Sequence, residues 1–295
     1  MREIKEKTLT CERALFGQDG VRVVNCVFDM GESPLKESRN IVLTGSMFRY
    51  KYPLWYTKNI RAENCAWTEM ARAGVWYAEN VTICDTVIQA PKNFRRCKNL
   101  TLENVSLTHA AETLWSCCGV KLKNITAKGD YFAMNSSDLS VENLNLDGNY
   151  SFDGCKNVTV KNCRLLTKDA FWNCENVIVY DSFISGEYLG WNSKNLTFVN
   201  CTIESLQGMC YIDNLKMIDC KLINTTLAFE YSSVEANIQS DIKSVFNPAS
   251  GRIEAEHIGR LIIEKDKVDP NLTLIVCGDI RKKCDRPAWK EFPHG

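Results

Sequence analysis

The sequence predicts an all-β fold: a single-stranded right-handed parallel β-helix, a solenoid of three parallel sheets with about 19–20 residues per coil. Three observations lead there. Asn157, Asn176, Asn195 and Asn214 recur at steps of 19, and their column runs back through Asp138, Gly119, Asn99, Asn80, Asn59 and Asn40. Five residues further on lies a second polar column, from Asn25, Gly45 and Asn64 through Asn104, Asn124 and Asn143 to Asn200 and Asp219. Between the columns stand triplets with strand alternation, such as Val158-Thr159-Val160 and Leu196-Thr197-Phe198.

Each part of a coil follows from these positions. Asn and Gly tolerate the left-handed backbone of a tight corner, so the ladders mark corners where stacked Asn side chains bond from coil to coil. The triplets form one side, and the alternation after the second ladder (Cys163-Arg164-Leu165) forms another. The stretch before the first ladder, as in Phe171-Trp172-Asn173, reads as a third. Parallel crossovers are right-handed. Neither a leucine-rich pattern nor a 3.6-residue apolar period is present. Residues 1–295 read as one domain, with 1–19 a cap or first coil, 20–233 regular coils, and 234–295 terminal coils, cap and a polar tail.

The fifteen cysteines fall into the repeat. Cys26, Cys65, Cys163, Cys201 and Cys220 follow the second ladder, while Cys97, Cys117, Cys155 and Cys174 precede the first by two residues. Both columns alternate as inward positions. Without a CxxC motif, buried reduced thiols acting as core filler are expected rather than a metal site.

Composition narrows the function. Thirty-six basic residues balance 36 acidic ones, which gives no field to attract nucleic acid or an anionic membrane. MREIKEKTLTCERALFG lacks the apolar core of a secretory signal and no apolar run is long enough to span a bilayer, so a cytoplasmic location is expected. His109, His257 and His294 form no hydrolase or zinc motif, and no phosphate-cradling loop occurs, so neither cofactor nor metal is expected.

Several stretches carry a family resemblance: GESPLKESRNI (31–41), KYPLWY (51–56), EMARAGVWY (69–77), APKNFRRC (90–97), AETLWSC (111–117), KGDYFAMNS (128–136) and LDGNYSFDG (146–154). Together they resemble a bacterial family that carries a domain-of-unknown-function label, family 3737, whose members look like pectin lyase-fold proteins. The resemblance spans nearly the whole chain. It implies the β-helix and supplies no activity or catalytic residue.

Function is therefore sought on outward columns, where equivalent residues of successive coils stand about 4.8 Å apart. Four residues before the first ladder, one column carries Trp55, Trp76, Arg95, Trp115, Asp153, Trp172 and Trp191. Three residues before these, Lys92, Glu112, Tyr131, Tyr150, Asp169 and Tyr188 form another, and Arg96 lies beside Arg95. Flat rings suit pyranose faces and guanidinium groups suit carboxylates. The expectation is a carbohydrate-active protein that binds or hydrolyses an acidic oligosaccharide along this strip. Asp153 with Asp169 is the expected acid–base pair, with Glu112 or Asp130 as substitutes. A lyase is the less favoured enzyme, since no dense Asp cluster for calcium is evident. The alternative is a non-catalytic glycan-binding or assembly scaffold, with the aromatic face as a homo-oligomer contact.

Overall fold

The computed structural model describes residues 1–285; the end of the predicted tail, 286–295, lies outside the described residues. The chain divides into two compact units, Met1–Gly148 and Asn149–Gly295, and each is a stack of parallel β-coils. Among the described residues the only helical element is a single 3₁₀ turn, Pro270–Leu272, capped by the Asp269 side chain.

In the first unit, strand Arg39–Thr44 lies beside Lys58–Glu63, with Ile41 opposite Ile60 and Leu43 opposite Ala62. These inward residues are buried, and rings fill the next side: Phe28 stacks on Phe48 at 4.7 Å, and Phe48 lies 4.8 Å from Trp67. In the second unit, Lys156–Lys161, Glu175–Tyr180 and Lys194–Val199 pair in parallel at the 19-residue offset, as Val158 opposite Val177 and Val177 opposite Leu196 show. Phe152 stacks on Phe171 at 5.1 Å beneath them.

Both polar ladders are corners in the left-handed region, with φ between 49° and 70° from Asn25 and Asn40 onwards. Asn side chains bond along them as the period requires. Asn59 donates to Asn40 at 2.9 Å, Asn176 to Asn157 at 3.0 Å and Asn195 to Asn176 at 2.9 Å; on the second ladder Asn124 donates to Asn104 at 2.9 Å.

The third side differs from the strand read in the sequence. Its coils are laid one on another, but every second residue has a positive φ: Tyr52, Leu54 and Tyr56 at 62°, 61° and 56°, and Asp169, Phe171 and Asn173 at 56°, 57° and 51°. Such a conformation costs an L-residue about 1–2 kcal/mol. Inter-coil bonds offset it: Tyr52 and Tyr56 donate forwards to Arg72 and Trp76 at 3.1 and 2.9 Å, and Leu54 donates backwards to Pro34 at 3.1 Å. Among the described residues only isolated bridges, such as Trp76 with Arg95, remain of strand pairing on this side.

The cysteine columns are buried as expected, yet they are more than filler. The column two residues before the first ladder is shared with serine and threonine: Ser38, Thr57, Cys97, Cys117, Ser136, Cys155, Cys174, Ser193 and Ser232 are all buried. Cys117 Sγ donates to Phe94 O at 3.2 Å and Cys174 Sγ to Phe152 O at 2.9 Å, while Ser193 Oγ donates to Phe171 O at 2.7 Å. Their carbonyl partners belong to left-handed residues of the preceding coil. For Phe94 O and Phe171 O the thiol or hydroxyl is the one donor among the described residues, while Phe152 O also accepts the Cys155 N–H at 3.1 Å.

Candidate functional site

In the first unit the predicted strip is a closed stack of rings and cations. Trp55 and Trp76 are parallel at 5.0 Å, and Tyr56 and Tyr77 at 4.8 Å. Arg95 lies between Trp76 and Trp115, its guanidinium 4.6 and 4.5 Å from the two ring centroids. Arg96 covers Tyr77 at 5.9 Å, and Tyr131 meets Trp115 edge-on at 6.4 Å. The indole N–H groups are also committed: Trp55 donates to Ala73 O at 2.5 Å, Trp76 to Lys92 O at 2.7 Å and Trp115 to Tyr131 O at 2.7 Å.

This geometry revises how a ligand could use the strip. Coil spacing matches ring-stacking distance, so the rings face one another along the stack and turn their edges outwards. The pyranose-on-indole contact expected from the sequence has no open face between Trp55 and Trp76. Glu112, a candidate acid, accepts from Lys92 at 3.0 Å and from Arg95 at 3.2 Å, so it acts as counterion to both. Asp130 is exposed, and its carbonyl accepts the Glu112 N–H at 2.9 Å.

The second unit brings together Asp153, Asp169, Tyr150, Trp172, Tyr188 and Trp191. Trp172 donates its indole N–H to Tyr188 O at 2.7 Å, meets Tyr150 edge-on at 6.3 Å and lies tilted 6.0 Å from Trp191. Its other face has no stacked ring among the described residues. On that side the Asp153 carboxylate accepts the Asn173 side-chain N–H at 3.0 Å.

Asp169 occupies a left-handed position of the third side, is 7% exposed, and accepts no side-chain hydrogen bond among the described residues. Burial, then the negative charge of Glu187, pushes its pKa up to about 6, with Lys168 opposing and Asp153 adding to the rise. Lys168 is engaged by Glu187 at 3.1 Å, which weakens it as a counterion for Asp169. The neighbouring Tyr188 hydroxyl is also pushed up, by burial and by the charges of Glu187 and Asp169. Two carboxyls on neighbouring coils thus differ in environment, Asp153 half-buried and amide-bonded, Asp169 the more desolvated.

Next to this pair lies a groove of about 350 Å³ lined by Lys168, Ser185, Gly186, Glu187, Glu204, Leu206 and Asn224. At Gly186 the backbone lies close against the preceding coil: a Cβ there would lie 1.9 Å from Thr167 O. Column reasoning missed Ser185, Glu204 and Asn224 because they sit on the side after the second ladder, away from the aromatic signature. The pairing of Glu187 with Lys168 could have been found, since the two stand 19 residues apart. No group of three or more metal-ligating side chains occurs among the described residues.

Comparison with known proteins adds the following. No curated protein matches the chain. Among solved structures, it is similar to the A-module of the Azotobacter vinelandii mannuronan C-5 epimerase AlgE4, with 11% identity over 97% of this chain and 87% of the other and a TM-score of 0.27. The Streptococcus pneumoniae surface protein and adhesin PfbA gives 8%, 96%, 86% and 0.35. A tailspike mutant of the E. coli bacteriophage HK620, solved in complex with a pentasaccharide, gives 8%, 96%, 70% and 0.36. Likenesses this weak say nothing of activity. The family profile described as "Protein of unknown function (DUF3737)" matches residues 2–276, and the chain belongs to that family.

Proposed function

We propose that the protein is carbohydrate-active and that its second unit binds an oligosaccharide and hydrolyses a glycosidic bond. The observation that carries this reading is Asp169: a largely buried residue whose carboxyl has no hydrogen-bond partner among the described residues, near Asp153 and next to Lys168 of a polar groove. A desolvated carboxyl holds its proton and can give it to the leaving oxygen, while Asp153 activates water or attacks the anomeric carbon. Trp172, with one face unstacked, supports a sugar ring beside them.

Ligand charge is part of the reading. In the first unit Lys92 and Arg95 are already balanced by Glu112, which leaves Arg96 to receive a uronate carboxylate there. Around Asp169 carboxylates outnumber the single lysine, which favours an uncharged sugar at the cleaved bond. Neutral and uronate-containing oligosaccharides should be screened against wild type and the Asp153→Asn, Asp169→Asn double variant. Turnover lost at least 100-fold in the variant is expected; equal turnover removes both residues from the chemistry.

The closed stack of the first unit favours a second use of that region, as a non-catalytic contact surface. Rings that satisfy one another leave edges, hydroxyls and Arg96 for a partner, which suits recognition better than chemistry. Light scattering on wild type and Tyr77→Asp tests a homo-oligomer at this surface, and a wild-type monomer would end that version.

A further inference from the structure

We infer that the groove beside Asp169 is a subsite for a sugar that carries a free amino group, with Glu204 as the residue that recognises the ammonium. This rests on the reading of the second unit as a glycan site and names the substrate class for it.

The charges in the groove decide the ligand. It is lined by two carboxylates and one lysine, and Lys168 is taken by Glu187 at 3.1 Å. Glu204 has no cation partner among the described residues. It is held by neutral donors alone, the Asn224 amide on one oxygen at 2.9 Å and the Ser185 hydroxyl on the other at 3.4 Å. These bonds orient the carboxylate and leave its charge uncompensated. Leu206, 39% exposed, gives the groove an apolar wall for the carbon face of a sugar.

Alternative ligands fit less well. A uronate would bring a third carboxylate to Glu187 and Glu204. An N-acetylated sugar would present no charge to Glu204. A sugar with an ammonium group answers the charge of the groove.

Calorimetric titration of the full chain with the β-1,4-linked dimer of glucosamine tests this. The expected result is saturable binding, weakened at least tenfold by Glu204→Gln and several-fold by Asn224→Ala, with both variants melting close to wild type. The N-acetylated dimer and a glucuronate-containing dimer should bind at least tenfold more weakly. Equal binding of the N-acetylated dimer, unchanged binding in Glu204→Gln, or spermidine binding as tightly as the amino sugar would each overturn the inference, the last by making the groove a general cation site. Titration is repeated on Asp169→Asn. Retained binding there, alongside an Asp169→Asn enzyme as active as wild type, would sink the catalytic reading and leave this subsite standing.

Discussion

Trp172 donates its indole N–H to the carbonyl of Tyr188, one coil further on, at 2.7 Å. The same side chain therefore braces the third side and offers a ring face to a ligand, and substitution can separate the two roles. Trp172→Phe keeps a ring but leaves the carbonyl without its donor, an expected cost of about 1 kcal/mol in urea denaturation. Trp172→Ala loses the ring too and should weaken glycan binding at least tenfold. If Phe and Ala variants bind alike, the ring face is not a sugar seat.

Asp169 predicts a pH dependence. Its folded pKa of about 6 lies above the ordinary 3.8, so between those values the folded state holds more protons than the unfolded one. Stability is therefore greatest at low pH as far as this group is concerned, falls as pH rises from about 4 to 6, and levels off above. The loss is about 3 kcal/mol at most. Asp169→Asn should flatten this part of the stability profile and raise stability at pH 7–8; a variant with the wild-type slope would refute the assignment. As general acid, the same group predicts a turnover rate that declines above about pH 6.

The Asn ladder separates backbone from side-chain effects. Asn176 is left-handed at φ 60°, donates to Asn157 and accepts from Asn195. Asn176→Gly keeps the conformation and loses both amide bonds, whereas Asn176→Ala loses the bonds and pays the steric cost as well. Thermal unfolding should rank wild type above Gly above Ala, with about 1 kcal/mol or more between the two variants.

Cys174 should behave as a hydrogen-bonding residue. Cys174→Ser preserves a donor for Phe152 O, as Ser193 does for Phe171 O one coil later, and should stay within about 1 kcal/mol of wild type. Cys174→Val fills the space and leaves Phe152 O with the Cys155 N–H alone, at an expected cost of about 1 kcal/mol beyond the serine variant. Equal stability of Ser and Val variants would return these thiols to filler.

In the first unit, Arg95→Ala removes the cation between Trp76 and Trp115 and leaves Glu112 with Lys92 alone. About 1–3 kcal/mol of destabilisation is expected from two cation–π contacts and the ion pair, partly recovered by Arg95→Lys. Denaturation at low and high salt checks it, because the cation–π part should persist when the ion pair is screened.

The repeat determined a great deal without a structure. A fixed interval of Asn, Gly and Asp points to a set of equivalent corners and the alternation between them to stacked parallel sides, so the β-helix, its ladders and the inward cysteines were all legible. Columns of Trp, Tyr and Arg were legible for the same reason. What they face was not, because period fixes which residues are neighbours and says nothing of ring orientation, backbone sign or solvation. The left-handed alternation of the third side keeps residues such as Trp172 outward and Phe171 inward as a strand would, so the sequence could not distinguish it from one. Only packing in three dimensions closed the faces of Trp55 and Trp76 on each other, gave Glu112 to two cations and buried Asp169. Those outcomes depend on side-chain directions and on water excluded by residues distant in the chain, which no column of letters records.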